Sequence, residues 1–290
     1  MNWKNCRKAV IVGGTSGIGY GIARKVAADA PQAKVIISGR HQPDDIAQSN
    51  IEFVRLDATS MREIKKYTDA LKSQQEKIDL LVLSQGVISF TKQSTEENLD
   101  KTIALMYTGR QMLIRELLPV LTNDARVIII LNAVRGDGST LDYNNLDLNK
   151  KMSLGKMITH PMTLNDGMVQ WFAREQIEKN KSGSSQHHRL FVHAFPGWVK
   201  TDIGKTLPWP IRMMGAISMY FKGVSADECA VHMLNGSYKD SDKEGWLNIN
   251  DVGDSLNGKR HIFTDEQLDK IAKYTWESID NALLTPQSTK

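Results

Sequence analysis

An apolar run from Ala9 to Val12 breaks into Gly13-Gly14-Thr15-Ser16-Gly17-Ile18-Gly19 and passes at once into a helical pattern. Few local sequences restrict a fold so tightly. A strand must end in a tight turn that feeds a helix N-terminus, because glycine accepts positive φ and leaves room where a Cβ would collide. The free N–H groups and positive end of that helix attract an anion, the geometry that cradles a dinucleotide pyrophosphate. Glycine-rich turns are common, so it is the place of this one between strand and helix that gives it meaning.

Further apolar runs of strand length follow at Lys34–Ser38, Ile51–Leu56, Leu80–Leu83, Arg126–Leu131, Leu190–Ala194 and Trp246–Ile249, after a first at Lys8–Val12. Helical patterns alternate with them near 18–29, 60–76, 96–120, 155–180 and 225–236. Continuous Val/Ile/Leu runs mean strands covered on both faces, so the sequence predicts a parallel sheet of about seven strands with helices on both sides. Right-handed crossovers make this a doubly wound α/β fold of Rossmann type, with ligands at the strand C-termini. At 290 residues, 41% hydrophobic and 24% charged, the chain fits one domain over 1–290 with an ordinary core.

A net charge of +4 is small for this length and gives no argument for nucleic acid, while modestly favouring a phosphorylated cofactor. Cys6 and Cys229 have neither metal nor redox spacing, which points to a reducing compartment, the cytoplasm. The adjacent His187 and His188 sit in a polar loop without helical ligand spacing, so they read as solvated and no metal site is expected. The basic start Met1–Lys8 leads into a short apolar run that stops at Gly13, a first strand rather than a signal peptide. No stretch approaches the ~20 apolar residues of a membrane span. The richest, Ile211–Phe221, suits a lid over a greasy pocket (about 204–224) or a surface anchor.

Several motifs together resemble the short-chain dehydrogenase/reductase family over nearly the whole chain. Its Thr-Gly-x-x-x-Gly-x-Gly loop is matched by Val12–Gly19, with Val12 in place of threonine. Asp57, in Arg55-Leu56-Asp57-Ala58, is similar to the adenine-binding aspartate after the third strand. Ser84-Gln85-Gly86 stands at the Asn-Ala-Gly that closes the fourth strand beside the cofactor. Pro196-Gly197-Trp198-Val199-Lys200-Thr201 is similar to the Pro-Gly-x-Val-x-Thr that holds the nicotinamide carboxamide. The resemblance implies NAD(P)(H), cradled by Gly13, Thr15, Ser16, Gly17, Ile18 and Gly19. It also implies pairing through the helices near 96–120 and 155–180 into a homodimer or homotetramer. The second strand ends in Arg40, where an acidic residue would favour NAD(H). Arginine offers charge-assisted donors to a 2′-phosphate, so NADP(H) is expected.

The family's catalytic Asn, Ser, Tyr and Lys fall here on Met106, Ala133, Ile158 and Met162, and no Tyr-x-x-x-Lys occurs anywhere between 133 and 180. General acid–base help is worth about 10²–10⁴ in rate, and apolar side chains supply none of it. The segments 99–121 and 142–166 are similar to a divergent fungal-type branch whose members often lack the usual Tyr and Lys. Candidate replacements are His160, which titrates near neutrality, and Asp166 and Asn165 on the same helix. A capping or surface histidine and a solvent-facing aspartate are the plainer expectations. Arg110 is a candidate for an acidic substrate, against the plainer expectation of an exposed charge, and Arg135 for the site or a strand cap.

The sequence thus suggests an NADPH-dependent oxidoreductase acting on a small lipophilic carbonyl, alkene or iminium, in secondary metabolism. A non-redox cyclase or isomerase on the same scaffold, and a nucleotide-binding pseudoenzyme, are the alternatives.

Overall fold

The computed structural model describes residues 2–46, 48–87, 93–147, 154–183, 186–201, 223–239 and 244–286. Its strands are β1 (Lys8–Val12), β2 (Lys34–Gly39), β3 (Ile51–Arg55), β4 (Ile78–Leu83), β5 (Leu121–Ile130), β6 (Leu190–Ala194) and β7 (Trp246–Ile249). They form one sheet in the order β3-β2-β1-β4-β5-β6-β7, and every neighbouring pair is parallel. All residues of β1, β4, β6 and β7 are buried, which is why these strands read as uninterrupted apolar runs. The order reverses between β1 and β4, opening a crevice at the C-terminal edge of the sheet.

Helices α1 (Gly17–Asp29) and α5 (Ala226–Tyr238) cover one face, where Ile22, Val26, Cys229 and Met233 pack on Ile11, Val35 and Val192. The other face carries α2 (Met61–Ser73), α3, α4 (Leu154–Lys181) and α6 (Asp265–Leu284). Helix α3 joins Lys101–Ile103 and Gly109–Leu117 through a π turn at Ala104–Thr108. Side-chain caps start several helices: Ser60 accepts from the Glu63 N–H, Asp100 from Thr102 and Ile103, and Ser225 from Glu228.

Helix α4 continues through Pro161. The carbonyl of Pro161 accepts a 2.6 Å bond from Asn165 Nδ2, and the neighbouring side chains are buried, so packing holds the turn despite the missing N–H. Helix α6 is absent from the sequence reading altogether. Charged residues are spread along its length, and its buried stripe is a sparse one of Leu268, Ile271, Ala272, Thr275, Ile279 and Ala282.

Helix α6 packs on both α3 and α4. The hydroxyls of Tyr107 and Thr275 are hydrogen-bonded inside this seam. Trp276 meets Trp171 edge-on at 5.4 Å and Phe172 at 6.0 Å, and the Arg115 guanidinium sits 5.3 Å over its ring. Arg174 of α4 reaches Asp265 and Asp269 of α6 at 3.3 and 2.5 Å. Helices α3 and α4, expected to meet a second chain, thus carry α6 of their own chain. No helix among the described residues is long and apolar enough to cross a membrane.

Candidate active site

The glycine turn forms by close backbone contact. Gly13 adopts φ +78°, and a Cβ there would collide with the Gln85 N–H and the Ser84 carbonyl carbon, the latter at 2.6 Å. A Cβ on Gly19 would strike the Gly13 carbonyl, so α1 begins flush against the turn. The turn is locked to the sheet as well: Gly13 N and Gly14 N donate to Ser38 O at 2.8 and 3.2 Å, and Ser84 N donates to Val12 O at 2.8 Å. Ser16 is the N-cap residue of α1, and its hydroxyl makes no capping bond. The helix end therefore presents backbone donors and an uncommitted hydroxyl together, the requirement for holding a pyrophosphate. Ile18 follows in the first turn of α1 and packs against the core beside that helix.

Beside this turn lies a cavity of about 630 Å³ bordered by Thr15, Ser16, Tyr20, Arg40 and His41. Arg40 and His41 are exposed and make no hydrogen bond or ion pair among the described residues, leaving their donors available. Gly39 leaves room for Thr15, whose Oγ1 lies 2.7 Å from where a Cβ on Gly39 would sit. Asp44 and Asp45 border the far side, and Tyr20 Oη ties down this segment by donating to Asp45 O at 2.6 Å. These residues fit a phosphorylated dinucleotide: a backbone cradle that a Cβ would fill, with the Arg40 cation at one end. His41 has no sequence signal beyond its place next to Arg40.

The remaining binding positions converge on the same edge. Asp57 spends Oδ1 on the N–H and hydroxyl of Thr59, at 2.9 and 2.7 Å, which shapes the turn where Ala58 is buried. Gly86 is exposed beyond the buried Gln85. Gly197 takes φ +72° against Asp251, turning the chain after Pro196. Val199 then pairs with Val224, and Thr201 lies over Gly17, whose Cβ would approach its methyl to 3.1 Å. Of the expected lid, 204–222 lie outside the described residues.

The four positions expected to align with the family's Asn, Ser, Tyr and Lys are apolar and differ in setting. Ala133 is fully buried and Met162 nearly so, Met106 is half-buried in the π turn, and Ile158 is 43% exposed. Val134, Met157 and Trp198 are also well exposed, at 45, 46 and 55%. These large apolar side chains belong to the loop after β5, the start of α4 and the turn after β6, all bordering the C-terminal edge of the sheet.

The candidate replacements turn inward. His160 is buried; its Nε2 donates to Leu146 O at 2.8 Å, so the proton sits on that nitrogen, and Nδ1 is unpartnered. Burial holds its pKa below the ordinary histidine value of 6.5. This differs from the surface or capping position expected. Asp166, expected to face solvent, is buried and accepts three bonds: from His193 Nδ1 (2.5 Å), Asn248 Nδ2 (2.8 Å) and Arg260 Nη2 (2.8 Å). A Cβ on Gly136 would overlap its carboxylate, so this network supports the loop that carries Ala133. Arg260 Nη1 donates to Val134 O and Thr163 Oγ1 accepts from Asp137 N, fastening the same loop to α4.

Asn165 is fully buried, donating to Met106 O at 3.1 Å and accepting from Gln111 Nε2 at 2.8 Å. It thereby satisfies a carbonyl of the π turn. Arg110, expected to be exposed, is fully buried, while Arg135 is exposed. Sequence reasoning missed His193 and Asn248 entirely. A polar residue inside an otherwise apolar strand was the available signal in each case. It also missed Asn132, which precedes Ala133 and leaves its Oδ1 buried and unpartnered, as are both polar side-chain atoms of Gln85.

Among known proteins, a family profile described as short chain dehydrogenase matches residues 7–139. An oxidoreductase of Emericella variicolor, andH, is 27% identical over 67% of this chain and 58% of its own length. Oxidoreductase AN1596 of Emericella nidulans is 30% identical over 70% of this chain and 62% of its own. The chain thus spans about three fifths of the length of these relatives. Among solved structures, the NADPH-bound carbonyl reductase from chicken fatty liver superposes with a TM-score of 0.60 at 17% identity, covering 86% of this chain and 93% of that one.

The state of His160 has a measurable consequence. Its folded pKa lies below its unfolded value, so the unfolded chain takes up the proton first as the pH falls. The contribution of neutral His160 is fully present above pH 6.5 and is lost as the pH drops below that value toward the folded pKa. The slope is at most about 1.4 kcal/mol per pH unit for one proton. Urea denaturation between pH 7.5 and 5 is expected to give a flatter stability profile for His160→Gln than for the wild type.

Proposed function

The chain belongs to the short-chain dehydrogenase/reductase family, and from that premise we propose that it is an NADP(H)-dependent oxidoreductase with a small lipophilic carbonyl, alkene or iminium as substrate. The observation that carries the proposal is the cavity between the glycine turn and the end of β2, where Thr15, Ser16, Arg40 and His41 converge without an acidic residue at position 40. A 2′-phosphate is a strong acceptor, and guanidinium N–H groups meet it with charge-assisted bonds. Carboxylates at 44 and 45 oppose this from across the cavity, but Arg40 is the residue at the strand end, where the ribose would lie.

The rest of the cradle has a defined task in this reading. Backbone donors of Gly13–Gly19 and the hydroxyl of Ser16 hold the pyrophosphate. Asp57 and Ala58 border the adenine, Ser84, Gln85 and Gly86 the ribose side, and Pro196, Gly197, Val199 and Thr201 the nicotinamide end. The bound cofactor would supply hydride.

The lipophilic substrate is supported by Val134, Met157, Ile158 and Trp198, whose exposed apolar surface stands at the sheet's C-terminal edge. Apolar area removed from water is worth roughly 25 cal/mol per Å², so such a rim selects greasy partners. Neither buried candidate donor is free to protonate a substrate: His160 holds its proton on Leu146 O, and Asp166 is a charge-paired acceptor. That favours an activated alkene or an iminium, whose reduction demands less proton help than a ketone's. The likeness to two Emericella oxidoreductases supports the assignment to redox chemistry.

Tryptophan-fluorescence titration tests the cofactor assignment. NADPH is expected to bind about tenfold more tightly than NADH, and Arg40→Glu to abolish that preference by weakening NADPH about tenfold. Equal affinity of the wild type for both would sink the preference. Association is a second point. Pairing through α3 and α4 would require displacing α6, with its Trp276 and Thr275 contacts. Light scattering at micromolar concentration is therefore expected to give the 32.5 kDa monomer. A dimer mass unaffected by disrupting the Trp276 seam would place association on another surface.

A further inference from the structure

Arg110 lies in α3 one turn beyond Met106, and its side chain is fully buried. Its Nη1 donates to Ile130 O at 2.9 Å, its Nη2 donates to Gln85 O, and its Nε has no partner. Those two carbonyls belong to the last residue of β5 and to the turn after β4, so the guanidinium sits at the C-terminal edge between these strands. No carboxylate among the described residues forms an ion pair with it. Two other buried arginines also rely on carbonyls, but at the opposite edge: Arg126 on Asp124 O and Ser237 O, Arg189 on Leu121 O and Thr122 O. On the site side, the buried charge of Asp166 is matched by Arg260. Arg110 is therefore a buried cation without a countercharge among the described residues, placed beside the crevice between the ends of β4 and β5. Burial pushes its pKa down to about 9, so it remains charged at neutral pH.

Sheet order decides what lies above it. The glycine turn and Arg40 belong to β1 and β2, which assigns them the adenosine half of a dinucleotide. The strand order reverses between β1 and β4, so the other half extends over β4, β5 and β6. An oxidised nicotinamide ring carries one positive charge, and a reduced ring carries none. Like charges in a low-dielectric surrounding repel, and carbonyl dipoles offset a full charge only in part.

We infer that Arg110 discriminates between the two redox forms of the cofactor, weakening NADP⁺ relative to NADPH. The inference rests on the nucleotide assignment of the preceding section. At an effective dielectric of about 20, a unit charge exerts a tenfold effect on another out to roughly 12 Å. By linkage, tighter binding of the reduced form draws the enzyme-bound couple toward NADPH, while the equilibrium in solution is untouched.

The test is the ratio of dissociation constants for NADP⁺ and NADPH, measured by calorimetry in the absence of substrate. The wild type is expected to favour NADPH by about tenfold or more. Arg110→Gln, which keeps a donor for the carbonyls without the charge, is expected to lower that ratio about tenfold. Arg110→Lys, which keeps the charge, is expected to preserve it. Thermal melts verify that each variant is folded. A purely structural arginine would change both constants together, and an unchanged ratio in folded Arg110→Gln overturns the inference. So does a wild-type ratio near one, which needs no variant. Failure of the wild type to bind either form would instead overturn the nucleotide assignment itself.

Discussion

Backbone meets backbone where Gly13 packs against the turn after β4, and the site is organised around that contact. It demands glycine at 13, brings Ser84 and Gln85 to the crevice, and sets α1 against the turn through Gly19. Hydrogen bonds from Gly13 and Gly14 to Ser38, and from Ser84 to Val12, then fix the ends of β1, β2 and β4 relative to one another. The position of Arg40 follows from the same arrangement, because β2 ends beside the turn. Thr201 closes it from the other side by lying over Gly17. A phosphate cradle of this kind needs little from side chains, because its donors are backbone N–H groups.

The polar residues of α4 and its neighbours serve mostly as scaffold. Asn165 bonds a π-turn carbonyl, Asp166 gathers His193, Asn248 and Arg260 beneath the loop of Ala133, and His160 anchors Leu146. Each is tied into the interior by hydrogen bonds, and the Asp166 carboxylate is held by a guanidinium and two further donors. The polar side chains of this part of α4 lie beneath the surface, while Val134, Met157, Ile158 and Trp198 expose apolar area at the C-terminal edge of the sheet.

The fold was legible because both its signals are local. Buried parallel strands announce themselves as apolar runs, and β1, β6 and β7 begin and end where the sequence placed them. The glycine turn is equally local. Burial of single polar residues is not, since it depends on what arrives from elsewhere in the chain. Arg110 reads as an ordinary helix-surface charge until the ends of β4 and β5 supply carbonyls for it. Asp166 reads as solvated until β6, β7 and residue 260 supply donors. Helix α6 escaped because its charged positions outnumber its buried stripe, and its contacts lie with helices over 90 residues earlier. Each error is one of tertiary context.

The most direct measurement is a crystal structure with NADPH bound. The account predicts the 2′-phosphate between Thr15 and Arg40, the pyrophosphate on the N–H groups of Gly13–Gly19, and the nicotinamide beyond Gln85 toward Pro196. A nucleotide lying elsewhere, or a 2′-phosphate turned to solvent away from Arg40, would contradict it.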